Sequence, residues 1–100
     1  MSDLLFDLPP TKTRRELFKA RHQIETHFCK GAQPDWMAAH MPSARELGYG
    51  VTATSSLFDC VAKVGRLMDE AGIAGYGATE AEAIVEACKG AGITVLPSDL

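Results

Sequence analysis

The residues of this 100-residue chain best equipped to do chemistry are three histidines and three cysteines. Their most suggestive grouping is His27-x-Cys29 together with His40, which a hairpin between them would bring across. Structural zinc takes four ligands, usually from Cys-x2–4-Cys or His-x3–5-His pairs, and a fourth here would have to come from Cys60, His22 or an acidic residue. The spacing matches no usual zinc pattern, so no metal and no cofactor is expected. Cys29 beside His27 also has the makings of a thiol nucleophile and its base, but no third, orienting group stands near them. Gly72, Gly75 and Gly77 follow a helical pattern instead of a strand, run in the wrong order for Gly-x-Gly-x-x-Gly and lack a Walker-type lysine, so they read as turn residues. Acidic pairs such as Asp69-Glu70 and Glu82/Glu86 fall on solvent faces of predicted helices, where carboxylates serve solubility more than acid/base catalysis. No catalytic constellation emerges, and the expectation is a protein that is not an enzyme.

Charge offers a different chemistry. Residues 12 to 21 hold Lys12, Arg14, Arg15, Lys19 and Arg21 against Glu16 alone, a local charge of +4, so the rest of a chain with net charge −3 carries −7. Such a segment is an electrostatic footprint for nucleic acid or for an acidic protein surface, its own or a partner's. Phe18 lies among these cations, suited either to stacking on bases or to anchoring in a pocket. The acidic remainder opposes non-specific attraction to phosphate.

The elements that must position these residues begin at Thr13. Thr13-Arg14-Arg15-Glu16 has capping-box spacing, which predicts a helix from about Arg14 to His22 with Leu17 and Ala20 facing inward. Before it, residues 1–12 end in Pro9-Pro10 and read as an extended arm, leaving residues 13–100 as a single globular domain. Ile24, Thr26 and Phe28 alternate with Glu25 and His27 as a strand does, and the turn-rich Lys30–Asp35 leads to Trp36, Ala38 and His40 as a second arm. A continuous helix to Cys29 is the alternative, and with it an all-α bundle. A short helix is expected at Ser43–Leu47. From Ser55 or Ser56 to Ala71, the residues Leu57, Val61, Val64 and Met68 repeat at helical spacing, widened by Cys60, Leu67 and Ala71 on one side and Phe58 and Gly65 on the other, which marks a central core helix. Thr79 opens a second capping box before a helix over Glu80–Lys89 whose inward stripe is Ala81, Ile84, Val85 and Cys88. Ile93–Leu96 reads as a short strand. The predicted fold is therefore α+β: a small single domain with a central amphipathic helix, two or three further helices and a small antiparallel sheet.

With 46% hydrophobic and 23% charged residues, the chain is neither disordered nor membrane-spanning in composition, and its length suffices for a modest core without staples. The first ten residues lack the basic start and long apolar run of a secretory signal, and three widely spaced cysteines form no disulfide framework, so a cytoplasmic protein with reduced thiols and no membrane partner is expected.

The runs Leu8-Pro9-Pro10-Thr11-Lys12-Thr13-Arg14-Arg15-Glu16-Leu17-Phe18, Gly48-Tyr49-Gly50-Val51-Thr52 and Gly75-Tyr76-Gly77-Ala78-Thr79-Glu80 resemble short open reading frames of bacteriophages and prophages that carry no motif of assigned role. The resemblance implies a class, accessory proteins that inhibit or regulate by binding one host macromolecule, and transfers no functional residue. On this reading the chain is a small non-enzymatic protein that occupies a surface on a host protein, with a homodimer as a further partner state. Its contact residues would be Arg14, Arg15, Phe18, Lys19, Trp36, Tyr49 and Tyr76. The alternative is a nucleic-acid-binding regulator using residues 12–22.

Overall fold

The computed structural model describes residues 13–48 and 50–100; the expected arm over residues 1–12 and the contact residue Tyr49 lie outside them. Helix α1 (Arg14–His22) starts as its sequence dictates. The Thr13 hydroxyl accepts from the Glu16 N–H and Glu16 accepts from the Thr13 N–H, while Gln23 ends the helix in the left-handed region at φ 56°. Strands β1 (Ile24–Phe28) and β2 (Trp36–His40) form the expected antiparallel hairpin, with Ile24 opposite His40 and Phe28 opposite Trp36, so the continuous helix and the all-α bundle are not adopted. Helix α2 (Met41–Arg45) begins two residues earlier than expected, directly from β2, with Pro42 in its first turn where no N–H is needed. Helix α3 (Leu57–Glu70) is capped by the Ser56 hydroxyl on the Asp59 N–H and kinks at Val64, one residue before Gly65.

The chain then forms strand β3 (Ala74–Gly77), antiparallel to β2, which completes a sheet of order β1-β2-β3. This corrects the reading of Gly72–Gly77 as turn alone. The glycines of β3 are there for close approach: a Cβ on Gly75 would strike the backbone of Ala83 and Ala87 in helix α4 (Glu80–Ala91). Gly90 likewise leaves no room for a side chain against the Gly72 carbonyl. Because α4 lies this tightly on the sheet, its buried stripe is Ala83, Ile84, Ala87 and Cys88, with Ala81 and Val85 only half-buried. Ile93–Leu96 is not a strand. It runs extended without a ladder, Ile93 and Val95 packing on the core beside α4, into a 3-10 turn at Pro97–Asp99.

The sheet separates two apolar clusters. On one face Met37, Ala39 and Met41 meet Leu57, Cys60, Val64 and Met68 of α3. On the other Phe18, Ile24 and Ala38 meet Ala83, Ile84, Ala87 and Cys88 of α4. The result is an α+β domain of three layers, helix on sheet on helix. No helix among the described residues is long and apolar enough to cross a membrane.

Candidate functional site

The basic segment is the first place to look, and the fold turns two of its cations, Arg15 and Lys19, inward. The α1 residue deeply buried is Phe18, 2% exposed, while Leu17 is half-exposed and Ala20 faces solvent, the reverse of the predicted faces. Phe18 lies against the His22 ring, with centroids 4.6 Å apart, and inside the α4-side core. Its helix rotates to seat the larger ring because β1 and α4 offer an apolar pocket on that side. The rotation carries Arg15 and Lys19 over Glu80, the first residue of α4. Lys19 Nζ donates to Glu80 Oε2 at 2.7 Å and to Thr26 Oγ1 at 2.8 Å, Thr26 donates to the same carboxylate at 2.6 Å, and Arg15 reaches its other oxygen at 3.2 Å. Burial alone would raise the Glu80 carboxyl, but the bonds from Lys19, Thr26 and Arg15 outweigh it and hold the group below its ordinary range. Two of the expected contact cations are thus engaged with their own chain. Arg14 is exposed on α1.

The other predicted contacts are scattered. Trp36 is half-buried on the α4 face of β2, its ring 5.3 Å from that of Phe28. Tyr76 projects from the opposite face of β3 and donates its hydroxyl to Asp69 of α3 at 2.6 Å; partial burial, then this bond, pushes the phenol up to about 12. The histidines do not converge. His27 lies opposite Met37 and faces Phe58, whereas His40 stands at the far end of the hairpin with Nδ1 2.7 Å from the Ser43 hydroxyl. Burial, then His22, lower the His40 imidazole against an opposing pull from Glu46. Among the described residues no group of three His, Cys, Asp or Glu is placed to hold a metal.

A surface that the sequence reading missed lies at the β1 edge. Glu25, His27 and Cys29 point from β1 toward α3, whose N-terminal turn is tied to the strand where the Leu57 N–H donates to Glu25 Oε1 at 2.8 Å. Here His27, Cys29, Met37, Leu57, Phe58 and Val61 wall a notch of about 170 Å³ with almost wholly apolar atoms. Phe58, 72% exposed, and Val61, 37% exposed, stand at its mouth, and Phe28 is 47% exposed on the other face of the same strand. The helical repeat placed Phe58 and Val61 in the core stripe, but the core takes Leu57, Cys60, Val64 and Met68. The signal for an exposed pair was the width of the apolar arc, half the wheel on a helix that meets one sheet.

The strand beside the notch has an open side. Cys29 N donates to Asp35 O and Met41 N to Gln23 O, so the odd-numbered residues of this stretch exchange bonds with β2. By antiparallel alternation the N–H and C=O groups of Ile24, Thr26 and Phe28 point away from the sheet, and among the described residues no strand pairs with them. The opposite edge differs. Beside β3 runs a wider, shallower concavity of about 850 Å³, lined by Tyr76, glycines and alanine and walled by Glu82, Glu86 and Lys89 of α4. Glu82 is engaged by the Ala78 N–H and Glu86 by Lys89, and this trough lacks the apolar knob-and-notch of the β1 edge.

No protein-family model, curated protein or solved structure matches the chain.

Proposed function

We propose that this chain is a non-enzymatic binding protein of the cytoplasm that acts by protein–protein contact, with the β1 edge and its apolar notch as the contact surface. A host protein is the partner that the phage resemblance implies, as inhibitor or regulator, and a second copy of the chain is the other partner such a surface admits. The observation that carries the reading is the coincidence of a 72%-exposed Phe58, an adjoining apolar notch and, on the same edge, strand groups that no strand among the described residues pairs. Large exposed aromatics beside desolvated pockets are where binding energy concentrates in protein interfaces, and an open strand edge supplies directed hydrogen bonds. Free Cys29, Cys60 and Cys88 support a reducing compartment. The nucleic-acid reading has less support, since Glu80 already engages Arg15 and Lys19.

A photo-crosslinking amino acid replacing Phe58, with the same group replacing the exposed Ala62 as control, tests this in cells making the protein. Crosslinks to protein specific to position 58 support the reading. Absence of any, or equal yield at position 62, overturns it.

A further inference from the structure

We infer that the β1 edge is occupied by the β1 edge of a second copy, paired antiparallel about a two-fold axis at Thr26, so that two three-stranded sheets become one of six strands. The inference rests on the reading of this edge as a protein-binding surface and names its partner.

The argument starts from the strand itself. Read in either direction, Ile24-Glu25-Thr26-His27-Phe28 has the same chemical pattern: apolar, ionisable, threonine, ionisable, apolar, with the acid and the base in mirror positions. An antiparallel partner centred on Thr26 sets Ile24 opposite Phe28 of the second copy, Glu25 opposite His27, and Thr26 opposite Thr26. A two-fold interface must be self-complementary in this way, because every residue meets the counterpart of its own partner. A like-charged pair would have opposed the arrangement; here a carboxylate faces an imidazole.

The backbone agrees with the side chains. Ile24, Thr26 and Phe28 are the residues whose N–H and C=O groups point outward, and a two-fold at Thr26 matches these three with Phe28, Thr26 and Ile24 of the second copy as hydrogen-bonded pairs. An axis midway between two residues would set outward groups against ones already bonded to β2, and an axis at Glu25 or His27 would keep the bonds but set that ionisable residue against its own copy. Glu25 and His27 then fall in the non-hydrogen-bonded pairs, where opposed side chains stand closest. Glu25 keeps capacity for this contact: one oxygen accepts from the Leu57 N–H, the other lies 3.7 Å from Arg45 Nη2, and a carboxylate accepts about four hydrogen bonds.

Packing completes the match. The α3 N-terminal turn overhangs β1, so the axis brings the two Phe58 rings and their notches together on one face of the joined sheet. On the other face it brings Phe28 beside Ile24 of the second copy. Exposed apolar side chains thus flank the strand on both faces, as they would in the interior of a longer sheet. The β3 edge has none of this: it is four residues long, glycine-rich and fronted by acidic side chains.

Sedimentation velocity over a concentration series tests the inference, on the wild-type chain and on Phe58→Asp, His27→Glu and, as control at an exposed apolar residue elsewhere, Leu96→Asp. The expected result is a reversible dimer, weakened about tenfold or more by Phe58→Asp and by His27→Glu and unchanged by Leu96→Asp. In a Cys29→Ser background, Thr26→Cys should give an interchain disulfide on mild oxidation and Ala62→Cys should not, since opposed hydrogen-bonded residues have Cα atoms about 5.5 Å apart, within disulfide reach. A wild-type chain that stays monomeric to its highest soluble concentration overturns the inference, as does a dimer indifferent to Phe58→Asp. If position 58 still crosslinks to a different protein, the binding surface stands and only the second copy is refuted.

Discussion

Replacing Phe18 and Phe58 in turn by alanine separates the aromatic that holds the fold from the one we propose as a partner contact. Phe18 is 2% exposed in the cluster between α1, the sheet and α4, whereas Phe58 is 72% exposed. Truncating a buried phenylalanine removes its transfer free energy and leaves a cavity, about 3–5 kcal/mol together. The lower end applies here, because α1 is a nine-residue helix at one side of the domain and can settle partly into the space. A loss of about 3 kcal/mol is a large share of the roughly 5–15 kcal/mol available to a chain of this length. It should lower the midpoint of thermal unfolding by about 12 °C or more. At position 58 the ring has little burial to lose and alanine is the better helix former, so the change should stay within about 0.5 kcal/mol. Urea unfolding followed by circular dichroism, at protein concentrations spanning the dimerisation range, measures both. A cost below about 1 kcal/mol for Phe18→Ala would refute the placement of α1. A cost above about 2 kcal/mol for Phe58→Ala in the monomer would mean that this ring packs in its own core and is not a contact residue.

Two further outcomes follow from the same contacts. Glu80→Gln leaves Lys19 and Arg15 without their anion and should cost about 1–2 kcal/mol at neutral pH; because the folded state holds this carboxyl below its ordinary range, its contribution is present above the unfolded pKa and lost as pH falls through the folded one, so the gap between wild type and variant should close in acid. A gap constant across a pH series of unfolding free energies would show that the charge is not what matters. Gly75→Ala must displace α4, since its Cβ meets only backbone of Ala83 and Ala87, with Ala87 Cα at 2.8 Å, and should cost about 3 kcal/mol, whereas Gly31→Ala, with open space and only a φ of 86° to oppose it, should cost about 1 kcal/mol; equal midpoints in urea for the two variants would contradict the close approach.

What could be read from the sequence was local. The Thr13 capping box, the Ile24–Phe28 alternation, the Ser56 cap and the Thr79 cap are each decided within a few residues, and the elements they open begin where expected. What escaped depended on partners distant in sequence. Ala-Gly-Tyr-Gly has little strand propensity, and only the small Ala83 and Ala87, one turn apart on α4, make room for it as a strand. Conversely Ile93–Leu96 has the right alternation, and Ile93 and Val95 do turn inward, but no ladder receives them. On α1 the choice between Leu17 and Phe18 as the inward residue could not be made from nine residues, because each lies on an acceptable stripe. The proposed contact surface was hidden for a related reason: a half-wheel apolar arc gives the amount of apolar surface on α3 but not which part the sheet leaves uncovered.

The internal use of charge decides what kind of surface is left. Thr26 and Glu80 draw Lys19 and Arg15 into one hydrogen-bonded group, and Glu80 occupies the first turn of α4, where a carboxylate also meets the positive end of the helix dipole. Two cations of the basic segment, Arg15 and Lys19, are in this way set against the chain's own Glu80, docking α1 over the sheet, while Arg14 and Arg21 stay exposed. Arg45 similarly turns toward Glu25 and the Ser55 carbonyl, and Lys63 toward Asp59 and the Gly50 carbonyl. Around the β1 edge, therefore, Arg45 and Lys63 are engaged while Lys30 stays exposed, and among the described residues Phe58, Val61, Phe28 and the outward amides and carbonyls of β1 are left uncovered. The uncovered apolar and strand groups of this edge would gain free energy from apolar burial and strand pairing, both short-ranged and little screened by salt. The proposed contact asks for protein surfaces that match in shape and register, and a strand whose own sequence mirrors itself about Thr26 meets that condition with a second copy of itself.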